Sequence, residues 1–279
     1  SSYEDLKKVG TGMDGWNLDS HYLQTADIDA SPSATENPIP ETTDEYYGFQ
    51  PIGKWAEGGT EEEHEKYGFS GVYDGAGFVI DGLTINRQYS IDGAGLFAFV
   101  YSGTIVNVGA VDVSVTAGCG GGGLVGLSIK GQILNSYAEG RAKAIDECAT
   151  GGLVAANAGL ISNSFAIVDV SSFIYAGGLV GINYGEIINS YARGNITGNF
   201  QVGGLVGEMS HSDGADQNPQ YSSINNSYST GQVLLLDEDS EPVDFGGLVG
   251  ASTSEQNTVS NSFWDIETSG MQISAGGEP

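Results

Sequence analysis

Gly177-Gly178-Leu179-Val180-Gly181 is followed, after Ile182-Asn183-Tyr184, by Gly185-Glu186-Ile187-Ile188-Asn189-Ser190-Tyr191. Both phrases recur along the chain. Gly-Gly-Leu-Val stands with its leucine at Leu124, Leu153, Leu179, Leu205 and Leu248, in steps of 29, 26, 26 and 43 residues. Asn-Ser-aromatic follows each copy, at Asn135-Ser136-Tyr137, Asn163-Ser164-Phe165, Asn189-Ser190-Tyr191, Asn226-Ser227-Tyr228 and Asn261-Ser262-Phe263. A degenerate copy, Gly93-Ala94-Gly95-Leu96 with Asn107, lies 28 residues before the first. Self-similarity at a period in the twenties marks a solenoid, in which each repeat buries its apolar face only against its neighbours.

Within a repeat the residues alternate. Ile133, Asn135 and Tyr137 fall on one face, and Leu134, Ser136 and Ala138 on the other. Stacked in register, the first set predicts aliphatic, asparagine and aromatic ladders inside the solenoid, with buried amides pairing along the stack. At ~4.8 Å per rung, seven or eight rungs would span ~35–40 Å. A parallel β-helix is favoured over a propeller, whose four-stranded blades need about 40 residues each. The expected class is therefore all-β: a right-handed parallel β-helix (β-solenoid) with a non-repeating N-terminal cap.

The cap is read as residues 1–60 and the solenoid as residues 61–279, in one continuous domain. Tyr3-Glu4-Asp5-Leu6-Lys7-Lys8-Val9 predicts a short helix, with acids early and lysines late to suit its dipole. Residues 22–29 read as a strand and residues 30–47 as a loop. Covering the first rung is the simplest role for this segment, because an open edge recruits other strands. The excess over the period before Leu248 falls in residues 210–221 and 236–244; insertions of this kind form loops on which binding tends to reside.

Composition narrows the partners. With 36 acidic against 9 basic residues the formal charge is −27, which repels nucleic acid and anionic membrane. No run approaches the ~18–20 apolar residues of a membrane helix. No signal peptide opens the chain, and Ser1-Ser2 reads as a scar of processing or cloning. The scarcity of lysine fits an extracellular setting rich in salt or calcium. Cys119 and Cys148 each lie five residues before a repeat leucine, so they occupy equivalent positions on successive rungs. Strand spacing brings their Cα atoms within disulfide range, but parallel Cβ vectors would strain the bond, so a disulfide and two buried thiols stay equally open. Two cysteines and His21, His64 and His211 make no zinc ligand set.

These phrases resemble the GLUG repeat. The resemblance rests on Gly178-Leu179-Val180-Gly181, on residues 185–194, on the opener Phe69-Ser70-Gly71-Val72-Tyr73-Asp74-Gly75 and on the terminal Asn261-Ser262-Phe263-Trp264-Asp265-Ile266-Glu267-Thr268-Ser269-Gly270, and it covers about residues 20 to 277. It implies a right-handed parallel β-helix in large secreted or surface-bound bacterial and archaeal proteins, including adhesin-like proteins and the non-catalytic part of IgA-specific metallopeptidases. It carries no assigned catalytic residue. The chain departs from the pattern at Ala155, where a glycine is usual, and at the two insertions.

Chemistry is sparse beside this scaffold. A polysaccharide lyase needs a basic cluster, which three arginines (Arg87, Arg141 and Arg193) and six lysines do not form. A glycosidase needs two carboxylates across a cleft, yet no acidic pair recurs in a distinctive setting. His64-Glu65 lacks the second histidine of a metalloprotease motif. The chain is therefore expected not to be an enzyme. Asp237, Glu238, Asp239, Glu241 and Asp244 form the best calcium candidate, with a solvated acidic loop as the plainer reading. Glu61-Glu62-Glu63-His64-Glu65 is expected to be solvated. The repeat aromatics read as a buried ladder rather than a sugar platform, which leaves Tyr46, Tyr47, Phe49, Trp55 and Tyr67 as ligand candidates or as cap packing. The favoured function is an adhesin-like surface module, monomeric and part of a larger polypeptide, that presents its insertions to a glycan or protein. A passive spacer or accessory domain comes second, and a carbohydrate-active enzyme third.

Overall fold

A computed structural model describes the whole chain apart from Glu41, Thr43, Glu57 and residues 213–219 and 238–242. One turn shows how the sequence makes the coil. Ile174–Gly177 runs in a third sheet, Gly178-Leu179 turns the corner, and Val180–Asn183 and Glu186–Ile188 cross the first sheet. Asn189-Ser190 turns the next corner into Tyr191–Ala192 and Ile196–Gly198 of the second sheet. Every repeat then pairs parallel with the next, as in Ala176↔Val202, Val180↔Val206, Ile187↔Ile224 and Tyr191↔Tyr228. The paths through the first and second sheets are each eight strands long, while the third sheet holds five. The chain is a parallel β-solenoid, as the period predicts.

The repeated leucines and Ile133, Ile161 and Ile187 are fully buried and line the core. The glycines before them answer to close backbone approach. A Cβ on Gly177 would collide with the Val180 carbonyl, and one on Gly181 would lie 2.8 Å from both the Thr150 nitrogen and the Tyr175 oxygen. Ala155 is the exception at that position, and nothing in the structure explains it.

The Asn-Ser-aromatic corner corrects the expected ladders. Asn135, Asn163, Asn189, Asn226 and Asn261 all adopt left-handed backbone, φ 47–51°, which asparagine tolerates better than most residues. That conformation breaks the alternation of faces, so these asparagines point to solvent and the serines point in. The buried ladder is one of serine. Ser164 Oγ accepts from the Ser136 backbone N–H at 3.1 Å, Ser190 Oγ from Ser164 at 3.2 Å and Ser227 Oγ from Ser190 at 3.1 Å. Each of these hydroxyls also donates to the carbonyl two residues before it. The aromatics stack outside the core, only partly covered, with Phe263 52% exposed.

The segment read as a cap does more than cover the end. Its strands His21–Leu23 and Ile28–Asp29 pair parallel with Val72–Asp74 and Val79–Asp81 and form the first rung. Tyr3, Leu6 and Val9, on or just after the short helix Tyr3–Leu6, join the core beside Phe49 and Ile28. The far end closes with Trp264, which replaces the small Ala138, Ala166, Ala192 and Ser229 of its column, and with residues 273–278, which hydrogen-bond across the last rung. The run Glu61-Glu62-Glu63-His64-Glu65, expected to be solvated, is largely exposed; it lies in the helix Glu61–Tyr67, opened by a Thr60/Glu63 capping box, and Glu61 pairs with Lys130 at 2.6 Å.

Cys119 and Cys148 form a disulfide, with Cα atoms 5.1 Å apart. Both lie in the bends that enter the third sheet rather than in strands, so their Cβ vectors can converge where stacked strands would hold them parallel. Reduction should lower stability by about 3 kcal/mol, from the loop it closes, read by thermal melts with and without reductant. Ser190→Ala should cost about 1–3 kcal/mol by leaving the buried Ser164 N–H unsatisfied, whereas Asn189→Gly, which keeps the left-handed turn, should change stability by less than about 1 kcal/mol. Equal losses in the two variants would refute the serine ladder.

Candidate binding groove

The first insertion leaves the solenoid between Val206–Met209 and Ser223–Asn225. Regular turns cross this place with a two-residue bend at Lys130-Gly131, Ala158-Gly159 or Tyr184-Gly185. Here His211–Ser212 and Gln220–Tyr221 pair antiparallel and stand beside that glycine column. A groove of about 600 Å³ results. Gly131, Gly159 and Gly185 form its floor, and Tyr184, Tyr221, Gln132, Gln220, Glu186 and Lys130 surround it.

Two buried asparagines hold the floor, and sequence periodicity did not single them out. Asn157 Nδ2 donates to the Gly159 carbonyl at 3.2 Å and to Asn183 Oδ1 at 2.8 Å. Asn183 Nδ2 donates to the Gly185 carbonyl at 2.9 Å and to Ser222 Oγ at 2.6 Å, which ties the base of the insertion to the same ladder. The interior amide ladder predicted from the sequence thus exists, but on Asn157 and Asn183. Their signal was present: both lie three residues after a Gly-Gly-Leu-Val phrase, each two before a glycine. At the near end of the groove Lys130 donates to Glu61 and to the Tyr101 hydroxyl at 3.0 Å.

The second insertion returns close to the first. Asp244, in left-handed backbone, precedes Phe245 of the third sheet and acts on Glu208, three residues before the hairpin begins. Burial pushes the Glu208 carboxyl above the ordinary glutamate range; a hydrogen bond from Ser210 opposes the shift and the Asp244 charge adds to it. Burial likewise raises the neighbouring Tyr184 phenol, with Glu208 adding to the effect. Of the proposed calcium ligands, Glu238, Asp239 and Glu241 lie outside the described residues. The Asp237 backbone N–H donates to Asn199 Oδ1 at 3.1 Å. Among the described residues no three His, Cys, Asp or Glu side chains gather as a metal site.

The aromatics fall into two classes. Tyr137, Phe165, Tyr191 and Tyr228 stack with centroids 4.7, 4.8 and 5.0 Å apart and planes within 9° of parallel, so their faces cover one another and only edges meet solvent. Sugars pack on open ring faces, so this external stack does not offer a platform. Phe49 is buried in the core, Trp55 stacks on His64 at 4.4 Å, and Tyr47 lies under the Arg87 guanidinium. Packing thus accounts for these three. Tyr184 and Tyr221, beside the insertion, are the aromatics that line the groove.

The Glu208 proton gives a test of the insertion base. The folded state holds this proton more tightly than the unfolded chain does. Its contribution to stability is therefore complete below the ordinary glutamate range and is lost as pH rises through the raised value. Glu208→Gln should raise Tm at neutral pH by about 1–3 °C and leave it unchanged at about pH 4.

Among curated proteins, no sequence matches the chain. The GLUG motif matches residues 174–197, the turn described above. A crystal structure described as a "putative immunoglobulin A1 protease" from Bacteroides ovatus superposes with a TM-score of 0.60 at 20% identity, covering 94% of this chain and 73% of that one. At that identity the likeness concerns the fold. The chain is a parallel β-solenoid that carries the GLUG motif.

Proposed function

We propose that the chain is a non-catalytic module of a secreted or cell-surface, adhesin-like protein, and that the groove beside the 210–222 insertion binds a glycan or a protein surface. The observation that carries this reading is the groove itself: a glycine floor fixed by a buried amide ladder, with two tyrosines and several amide and charged groups around it. Rigid backbone under aromatic and hydrogen-bonding side chains is the usual composition of a site that recognises a polar ligand with apolar faces. The non-catalytic part rests on composition, because the basic residues are too few to form a lyase centre and no acidic pair recurs. An extracellular place agrees with the strongly acidic surface and with the described residues, in which no helix is long and apolar enough to cross a membrane. Calcium, if it takes part, would act through the 237–244 loop.

A second reading, an accessory or spacer domain of a larger secreted protein such as a peptidase, draws on the fold likeness to the Bacteroides ovatus protein. The two differ in what the groove does. Replacing residues 210–222 by a two-residue Tyr-Gly bend should abolish binding on a glycan and surface-protein array, run with calcium and with chelator. Tyr221→Ala should weaken any hit by about tenfold, or ~1.4 kcal/mol. Binding that survives the replacement moves the site elsewhere, a calcium-independent hit discards the metal, and a blank array for the intact chain favours the spacer.

A further inference from the structure

A second concavity, of about 350 Å³, lies where the wrapped N-terminal segment meets residues 87–93. Its lining includes Lys54, Arg87, Tyr89, Gln50, Ser90 and Asp92. In a chain with four acids to each base, one fate of a cation is an ion pair. Lys7, Lys8 and Lys130 follow it, bound to Glu4 and Glu36, to Asp5 and to Glu61. Among the described residues the other six basic side chains have no carboxylate within ion-pair distance, and two of them, Lys54 and Arg87, line this one concavity.

Arg87 is built in rather than trailing in solvent. It ends the strand Thr84–Arg87, and its guanidinium lies 5.3 Å from the Tyr47 ring centroid. One terminal nitrogen donates to the Phe49 carbonyl at 3.1 Å and to Gln50 Oε1 at 2.9 Å, while the Nε is buried without a partner. The Lys54 backbone N–H is tied to the Tyr67 carbonyl at 2.9 Å, which fixes the base of its side chain. Tyr89 is 73% exposed at the rim. The Ser90 hydroxyl accepts from the Asp92 N–H at 3.1 Å, ordering the turn that carries both residues.

We infer that this concavity is a binding site for a carboxylate-bearing sugar of the uronate type. Arg87 and Lys54 would face the carboxylate, the open Tyr89 ring would pack on the sugar, and Gln50, Ser90 and Asp92 would take its hydroxyls. The volume suits a ligand of one or two rings. Charge separates this ligand from a phosphorylated one. The −27 field repels an anion in proportion to its charge, so a phosphate dianion is opposed about twice as strongly as a carboxylate. Asp92 adds to that bias, since it repels phosphate oxygens but accepts hydroxyls. Screening beyond ~8–10 Å leaves the two local cations dominant inside the concavity. The site is independent of the insertion groove.

Calorimetry on the full chain at moderate salt tests this with galacturonate, against galactose, inorganic phosphate and a hexaglutamate peptide. The expected result is binding of galacturonate alone, weakened about tenfold or more by Lys54→Gln and by Tyr89→Ala, two substitutions at exposed positions that leave the Tm unchanged. Tyr221→Ala, in the other groove, should leave it intact. Failure to bind galacturonate would overturn the inference, as would equal binding of galactose, of phosphate or of hexaglutamate. Insensitivity to both Lys54→Gln and Tyr89→Ala would also overturn it. Loss with Tyr221→Ala instead would assign the uronate to the insertion groove.

Discussion

Every rung of this protein hangs on the next by backbone hydrogen bonds at equivalent positions. The Leu153 N–H donates to the Leu179 carbonyl, Leu179 to Leu205 and Leu205 to Leu248, each at 2.9 Å. That spacing puts identical side chains about 4.8 Å apart along the axis, so a residue is retained only if it tolerates a copy of itself above and below. Leucine and valine do so in the core, because their contacts along the stack are apolar. Glycine does so at the corner, because a Cβ there would meet backbone of the same or an adjacent turn. Serine does so at the next corner, because its hydroxyl can accept from one rung while donating within its own.

Polar groups inside the solenoid obey the same constraint, and they mark where the structure departs from a plain rod. The serine column satisfies the corner beside the asparagines and leaves the wall smooth. The asparagine column, confined to Asn157 and Asn183 and completed by Ser222, lies under the bend where the first insertion departs. A buried amide costs free energy unless paired, so its presence there, with every rung satisfied by the next, explains how a glycine bend can be held rigid without side chains of its own. The floor of the groove is thus a consequence of the core.

Charge acts chiefly at the N-terminal end. Lys7 reaches Glu36 and ties the first helix to the rest of the N-terminal segment, while Lys130 reaches Glu61 and ties the Glu61–Tyr67 helix to the solenoid wall. Such exposed pairs contribute only ~0–1 kcal/mol each, so they set positions more than stability, which comes from Tyr3, Leu6 and Phe49 in the core. Arg193 is spent on the outer stack, 5.0 Å from the Tyr191 ring centroid and hydrogen-bonded to the Tyr228 hydroxyl at 3.0 Å. Lys54 and Arg87 stand apart from these roles in facing a concavity with no acid paired to them.

The sequence by itself determined the solenoid, its period, its parallel register and the turn that carries both insertions, because a repeated apolar phrase can be buried only by stacking on its own copies. It also placed Cys119 above Cys148. It did not determine which side of the wall each residue occupies. Period-two alternation assumes extended backbone, and the left-handed asparagines reverse the faces, turning Ser136 inward and Tyr137 outward. Nor could it show that residues 21–29 supply a rung, that Asn157 and Asn183 carry the interior amides, or that Lys54 and Arg87 share a concavity. Those facts depend on which chain segments meet across turns. Only the tertiary structure decides that, because the non-repeating N-terminal segment has no copy of itself to reveal its register.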